Sequence, residues 1–252
     1  MTLVLCETQN GVATVTLNAP EVRNAVSLQM NQQLNKTWDR LENDTSVAAV
    51  VLTGAAPAFS AGANLDELLA ANTPESLSAI YSGFLRVAHS PLPTIAAVNG
   101  AAVGAGMNFA LACDLILAGH SAMFESRFLQ IAAHPGGGHT WRLRNICNRQ
   151  TAMAMVVFGE RLDGHRAAQI GLAWKCVEDE ALLAEAQRLA SRTARAPRTL
   201  TMAMKQTITD MAAATNSQEA VARELEPQVW SINQPIFNEK IQSLKQAITK
   251  SK

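Results

Sequence analysis

The chain has no excess charge of either sign. Its 252 residues include 21 Lys+Arg and 21 Asp+Glu, a formal net charge of zero. That balance argues against general binding to nucleic acid or to an anionic membrane, both of which need a basic face. It leaves room for a local basic patch of the size a phosphate-bearing ligand requires. Cysteine is sparse: Cys6, Cys113, Cys147 and Cys176 form no Cys-x-x-Cys pair and no zinc-type spacing. Reduced, buried thiols are expected. The histidines also lack metal-ligand spacing, so neither a metal nor a resident cofactor is expected. No apolar run reaches the ~18 residues of a membrane span, and no basic, apolar leader opens the chain. A soluble, cytoplasmic protein is expected. The glycines Gly100, Gly104 and Gly106 do not make G-x-G-x-x-G, no Gly-Lys-Ser/Thr follows a glycine loop, and no serine sits in a Gly-x-Ser-x-Gly elbow. A dinucleotide site, a P-loop and a hydrolase nucleophile elbow are thereby not indicated.

What the chain does have is a pair of similar stretches. Thr94–Val98 is a short apolar strand, broken at Asn99-Gly100 and followed by a buried helix that opens at Gly104-Ala105-Gly106. Earlier, the apolar run Val47 to Leu52 leads into Phe59-Ser60-Ala61-Gly62-Ala63-Asn64-Leu65-Asp66-Glu67-Leu68, again strand, small-residue loop and helix. Small residues at a helix start admit close approach and leave the N–H groups of the first turn unpaired. Such a terminus attracts negative charge. Two loops of this kind in one domain can supply two converging donors, the arrangement that stabilises an enolate or thioester oxyanion.

In chain order, Leu3–Gln9 and Val12–Leu17 read as a hairpin closed by Asn10-Gly11. Ser27 caps a helix to about Asn43, Val47–Thr53 is a buried strand, and Pro74 starts a helix that Pro91 and Pro93 end. Leu115–Ala118 and Ala122–Phe124 are further short strands. From about Thr140 helices dominate, with Asp163 capping one, Pro197 starting another, and a long amphipathic helix over Ala181–Arg195. Leu200–Met211, Gln218–Trp230 and Pro235–Ile248 form a helical tail. Alternation of this kind indicates an α/β domain, with residues 1–195 as core and 196–252 as the helical region.

Three motifs carry a resemblance. Phe59-Ser60-Ala61-Gly62-Ala63-Asn64-Leu65 resembles the first oxyanion motif of the crotonase (enoyl-CoA hydratase/isomerase) superfamily, Ala97–Asp114 its second, and Pro20-Glu21-Val22-Arg23-Asn24-Ala25 its N-terminal signature. They stand in the right order, and the resemblance covers nearly the whole chain. It implies a ββα spiral core with a C-terminal helical region that packs subunits into a trimer or a dimer of trimers, the last helix covering a neighbour's ligand pocket. It also implies binding of an acyl-CoA thioester, coenzyme A being part of the substrate, with the carbonyl held by the N–H groups of Ala63 and Ala105. Ala61, Gly62, Asn64, Leu65, Gly104, His134 and Gly136 line the substrate by the same resemblance, and Arg23 lies near the coenzyme A entrance.

The family's acid–base residues do not carry over. The first glutamate falls on Asn108 and the second, counted back from Pro135, on Phe128; the isomerase-type carboxylate falls on Gly136. Amide and phenyl groups transfer no protons at neutral pH. His134 and His139 flank the glycine loop that the family sets beside the reacting carbons. His139 is open to two readings: a base working near pH 7, or a helix-start histidine bonded to backbone or solvent. Glu125, three residues before Phe128, points to the opposite face of an extended strand. Asp66 and Glu67 stabilise the start of their own helix. Arg142 and Arg144 are surface residues or a phosphate contact. Phe128 suggests an apolar acyl pocket, with Met107, Phe109 and Leu129 around it. The reading is an acyl-CoA enzyme of atypical or weak hydratase activity. The alternatives are a non-catalytic acyl-CoA binder and a decarboxylase or thioesterase on the same fold.

Overall fold

Asn10 and Gly11 both take positive φ, 51° and 78°, as the tightest hairpin turn demands. They join β1 (Val4–Gln9) to β2 (Val12–Leu17), paired antiparallel from Val4↔Leu17 to Gln9↔Val12. The computed structural model describes residues 1–250, which fall into two compact units dividing between Arg198 and Thr199.

In the first unit, the Ser27 hydroxyl accepts from Met30 N at 3.1 Å and starts α1 (Leu28–Asn43), which buries Met30, Leu34, Trp38 and Leu41. There follow β3 (Ala49–Gly54), β4 (Ala58–Ser60), α2 (Leu65–Ala70) and α3 (Pro74–Ala88), the last opened by a Thr73–Ser76 capping box. Then come β5 (Thr94–Val98), β6 (Ala101–Val103), α4 (Ala105–Ala112), β7 (Leu115–Gly119) and β8 (Met123–Glu125). The unit ends with α5 (His139–Ile146), α6 (Arg149–Val156), β9 (Arg161–Asp163), α7 (Gly164–Gln169), β10 (Lys175–Val177) and α8 (Asp179–Ala190). The helix expected to reach Arg195 stops at Ala190, and a separate 3-10 turn covers Thr193–Arg195.

Two sheets result, ordered β1-β2-β3-β5-β7-β10 and β4-β6-β8-β9. Each turn of chain gives one strand to each sheet: β3 then β4, β5 then β6, β7 then β8. This is the ββα spiral. The larger sheet is parallel from β2 onward and the smaller one parallel across β4, β6 and β8. One face of the larger sheet packs Val12, Val51, Ile95 and Leu117 against Leu182 and Ala186 of α8. The second unit holds α10 (Ser217–Ile232), α11 (Pro235–Lys250) and all but the first residue of α9 (Arg198–Asp210). Among the described residues, no helix is long and apolar enough to cross a membrane.

Candidate active site

The parallel strands β4, β6 and β8 are neighbours and all end at one edge of the small sheet. Crevices at the carboxyl ends of parallel strands are where α/β folds bind ligands. Three loops leave that edge: Ala61–Asn64 from β4, Gly104 from β6, and Ser126–Gly138 from β8.

The first loop is pinned from below. Ala61 N donates to Arg23 O at 2.9 Å, Val26 N to Gly62 O at 2.7 Å, and Asn64 N to Val26 O at 2.8 Å. Arg23 and Asn24 are consecutive left-handed residues, with φ of 51° and 56°. The Asn24 amide donates to the carbonyls of Ala55 and Ala58, both at 2.7 Å. Asn24 is therefore the internal bolt of the first loop, a role that sequence reading missed; the signal was the tolerance of asparagine for that conformation. The Asn64 side chain caps α2 by accepting from Glu67 N at 3.0 Å. Glu67 does not serve its own helix alone: its carboxylate accepts from Leu28 N, in the first turn of α1, at 2.8 Å. Leu65 is exposed. Within these interactions the N–H of Ala63 has no partner among the described residues.

The second loop is a single residue. Gly104 takes φ 50°, ψ −114°, and its N–H donates to Glu125 O at 2.9 Å. Ala105 then opens α4 without any side-chain cap, leaving its N–H unpaired among the described residues. Helix α4 starts hard against β4, since a Cβ on Gly106 would overlap the Ser60 carbonyl oxygen. Val103 O also lies 3.1 Å from where a Gly62 Cβ would be, so the two loops touch.

Beneath the third loop is a buried chain of hydrogen bonds. Asn108, on α4, donates its amide to Gly136 O at 3.3 Å. Its Oδ1 therefore faces His139 Nδ1, at 2.8 Å. That assignment places the ring proton on Nδ1. Nε2 then accepts from the Ser126 hydroxyl at 2.9 Å. Burial, and secondarily the charge of Arg142, lowers the His139 pKa from 6.5 to about 4. The imidazole is neutral and fully occupied. This overturns both readings of His139: it faces neither solvent nor backbone, and it offers no free lone pair to substrate. Phe128 packs its ring edge-on to His139, centroids 5.0 Å apart. Arg142 is half-buried and donates to Gly137 O at 2.6 Å. Tyr81 and Phe84 of α3 fill the space under Gly136 and Gly137, where any Cβ would overlap their rings or hydroxyl. Burial pushes the Tyr81 hydroxyl above its ordinary pKa.

The other residues singled out from the sequence differ in exposure. His134 is exposed and its Nδ1 turns to Pro135 O at 2.8 Å, outside the chain. Arg23 is exposed. Leu129 is exposed, while Met107 and Phe109 are wholly buried core residues, Phe109 edge-on to Phe84. Glu125 is buried and paired with Arg127 and Arg161. Arg144 lines a separate cleft of about 310 Å³ between α5 and α6, with Thr140, Arg149, Met153 and Val157. Ser126 was missed altogether; it belongs to no motif, and only the fold brings it to His139. The side chains joined in this hydrogen-bonded series, or packed on it, are an amide, an imidazole, a hydroxyl and a phenyl ring.

The enoyl-CoA hydratase/isomerase family model matches residues 7–247. A probable enoyl-CoA hydratase, echA14, of Mycobacterium tuberculosis is 42% identical over 242 residues, covering 93% of this chain and 94% of that one. The 1,2-epoxyphenylacetyl-CoA isomerase of Escherichia coli K12 is 35% identical over 204 residues, 78% of each chain. The crystal structure of an enoyl-CoA hydratase from Mycobacterium smegmatis superposes with a TM-score of 0.90 at 27% identity, covering 98% of this chain and 97% of that one. With both sheets, the strand-end loops and this coverage in agreement, the chain belongs to the enoyl-CoA hydratase/isomerase family.

Proposed function

We propose that this chain binds an acyl-CoA thioester and stabilises its enolate between the N–H groups of Ala63 and Ala105, without the acid–base carboxylates that hydration of an enoyl-CoA uses. The carrying observation is a pair of N–H groups, unpaired among the described residues, on touching loops at the ends of β4 and β6. Adjacent strands lie ~4.8 Å apart, a span that one carbonyl oxygen can bridge. Charge developing on that oxygen is met by fixed dipoles, and α4 adds the positive end of its own.

Asn108 and Phe128 occupy the positions that the family resemblance gives to its glutamates, and Gly136 that of the isomerase-type carboxylate. None of them moves a proton at neutral pH. The polarised carbonyl is thus the chain's main chemical asset, and the favoured reactions are those in which enolate stabilisation does most of the work. The exposed apolar residues of the C-terminal helices support a homotrimer or a dimer of trimers.

The test has two arms. Crotonyl-CoA hydration, followed by loss of enoyl absorbance, is expected to be slower than in a glutamate-bearing relative by at least the ~100-fold that one acid–base group contributes. Calorimetry with acyl-CoA thioesters is expected to show binding. Ala105→Pro removes one N–H at a helix position that tolerates proline, and it should weaken thioester binding where Ala105→Gly does not. Fast hydration would refute the missing-carboxylate reading; unchanged binding in Ala105→Pro would refute the clamp.

A further inference from the structure

Away from the thioester loops, and independent of them, a second set of side chains converges. Strand β7 ends at Gly119, and the next residue, His120, sits in the turn to β8. Strand β10 pairs with β7 so that Cys176 lies opposite Ala118, beside that turn. Helix α7 begins at Gly164, packed so tightly on the turn that a Cβ there would overlap the Gly119 carbonyl and stand 3.0 Å from Cys176 Sγ. The next residue is His165. One donor atom from each of His120, His165 and Cys176 lies within 4.8 Å of the other two. The two imidazole rings are 4.5 Å apart, centroid to centroid.

We propose that His120, His165 and Cys176 bind a zinc ion. Two imidazoles and a thiolate are the donor set that zinc prefers over harder cations. Donors around tetrahedral zinc stand roughly 3.5 Å apart. Small rotations of two exposed histidines and one half-buried cysteine close the difference. Glu178 supplies the remaining element: its carboxylate is 3.0 Å from His120 Nδ1. There it either completes the coordination or holds the imidazole in the orientation that presents Nε2, as carboxylates behind zinc-bound histidines do. The other nearby carboxylates are otherwise engaged. Asp163 caps α7 through Arg166 N at 2.7 Å, and Asp179 accepts from Ser121 N at 3.0 Å. In the resting protein the Cys176 thiol donates to Gly119 O at 3.7 Å. Binding the cation exchanges its S–H proton, released to solvent, for an S–Zn bond. The three ligands show no zinc-type spacing in the sequence; the β7–β10 register and the packing of α7 on the turn assemble them. Bound there, zinc would tie the edge strand β10 to the β7–β8 turn and to α7.

The experiment uses full-length, tag-free protein, stripped with chelator and kept reduced. Zinc is titrated against a chromogenic competitor, and cobalt(II) is substituted as an optical probe. One zinc per chain is expected, a higher melting temperature with zinc, and a cobalt spectrum with tetrahedral visible bands and sulfur-to-metal charge transfer. Cys176→Ser should abolish the charge-transfer band, and His120→Ala and His165→Ala should each weaken zinc at least tenfold. Glu178→Gln should weaken it roughly 10–100-fold. Cys147→Ser should change nothing. Failure to retain zinc against the competitor, or retention undiminished in Cys176→Ser and His165→Ala, overturns the proposal.

Discussion

His139 shows how a single side chain can be chemically silent and structurally expensive to lose. Only 1% of it is exposed, and both ring nitrogens are committed, to Asn108 and to Ser126. Its pKa of about 4 against 6.5 for the free side chain turns into a pH dependence of stability. In the unfolded chain the imidazole takes up a proton as pH falls through 6.5; in the native protein it stays neutral until about 4. The stabilisation is therefore complete above 6.5 and declines as pH drops toward 4, by about 3 kcal/mol in all. Urea unfolding at pH 7 and pH 4.5 should register that decline in the parent protein. His139→Gln, less stable at pH 7, should show a slope reduced by about this amount, because other groups titrating in the same window are common to both proteins. Equal slopes would mean that native His139 takes up its proton over the same pH range as in the unfolded chain. Ser126→Ala, which leaves Nε2 buried without its donor, should cost about 1–3 kcal/mol at pH 7. None of this was legible beforehand. Asn108, Ser126 and His139 lie on or beside three different elements, up to 31 residues apart, and polar residues buried by tertiary contact carry no local signature.

At the level of elements, legibility followed local chemistry. The start of α1 at Ser27, of α3 after Thr73-Pro74 and of α7 after Asp163 each come from a side chain or ring acting within a few residues. The Asn10-Gly11 hairpin is equally local. The three-residue strands β4, β6, β9 and β10 are set by pairing alone. Ala101-Ala102-Val103 has neither alternation nor length, and it is a strand because β4 and β8 flank it. The proposed thioester clamp rests on one of these inconspicuous junctions, where the start of α4 meets the end of β4. Gly106→Ala tests it. The new Cβ would meet the Ser60 carbonyl oxygen, and also the Ser60 Cβ and Oγ at 2.7 Å, so α4 or β4 must shift. A loss of about 1–3 kcal/mol follows from overpacking of this kind, although alanine is by itself the better helix former. The same shift moves Ala105 relative to Ala63, so thioester affinity should fall along with stability. A variant at least as stable as the parent in chemical denaturation would show that the junction has slack.

For the whole molecule, the demand that the chain itself leaves unmet lies in residues 199–250. Helices α9 and α10 bury no residue at all within the chain, although both carry apolar side chains at helical spacing. Met204, Ile208, Val221 and Leu225 are each more than half exposed, and Val229, Trp230, Phe237 and Leu244 are exposed too. Amphipathic helices of this length are marginal in water unless the apolar face is covered. A second copy of the same chain is the partner available at every concentration, and closed rotational symmetry satisfies all copies at once. Sedimentation velocity and light scattering at micromolar protein should therefore give a trimer or a dimer of trimers, with a melting temperature that rises with concentration. Ile208→Glu and Leu225→Glu place charge on that surface at positions where a monomer would tolerate it with little change, within about 0.5 kcal/mol. In an assembly they should shift the population toward monomer and lower the melting temperature by several degrees, about 2–4 °C per kcal/mol for a chain of this size. A monomeric parent protein, or an assembly indifferent to both substitutions, would mean that the C-terminal helices meet their apolar demand in some other way.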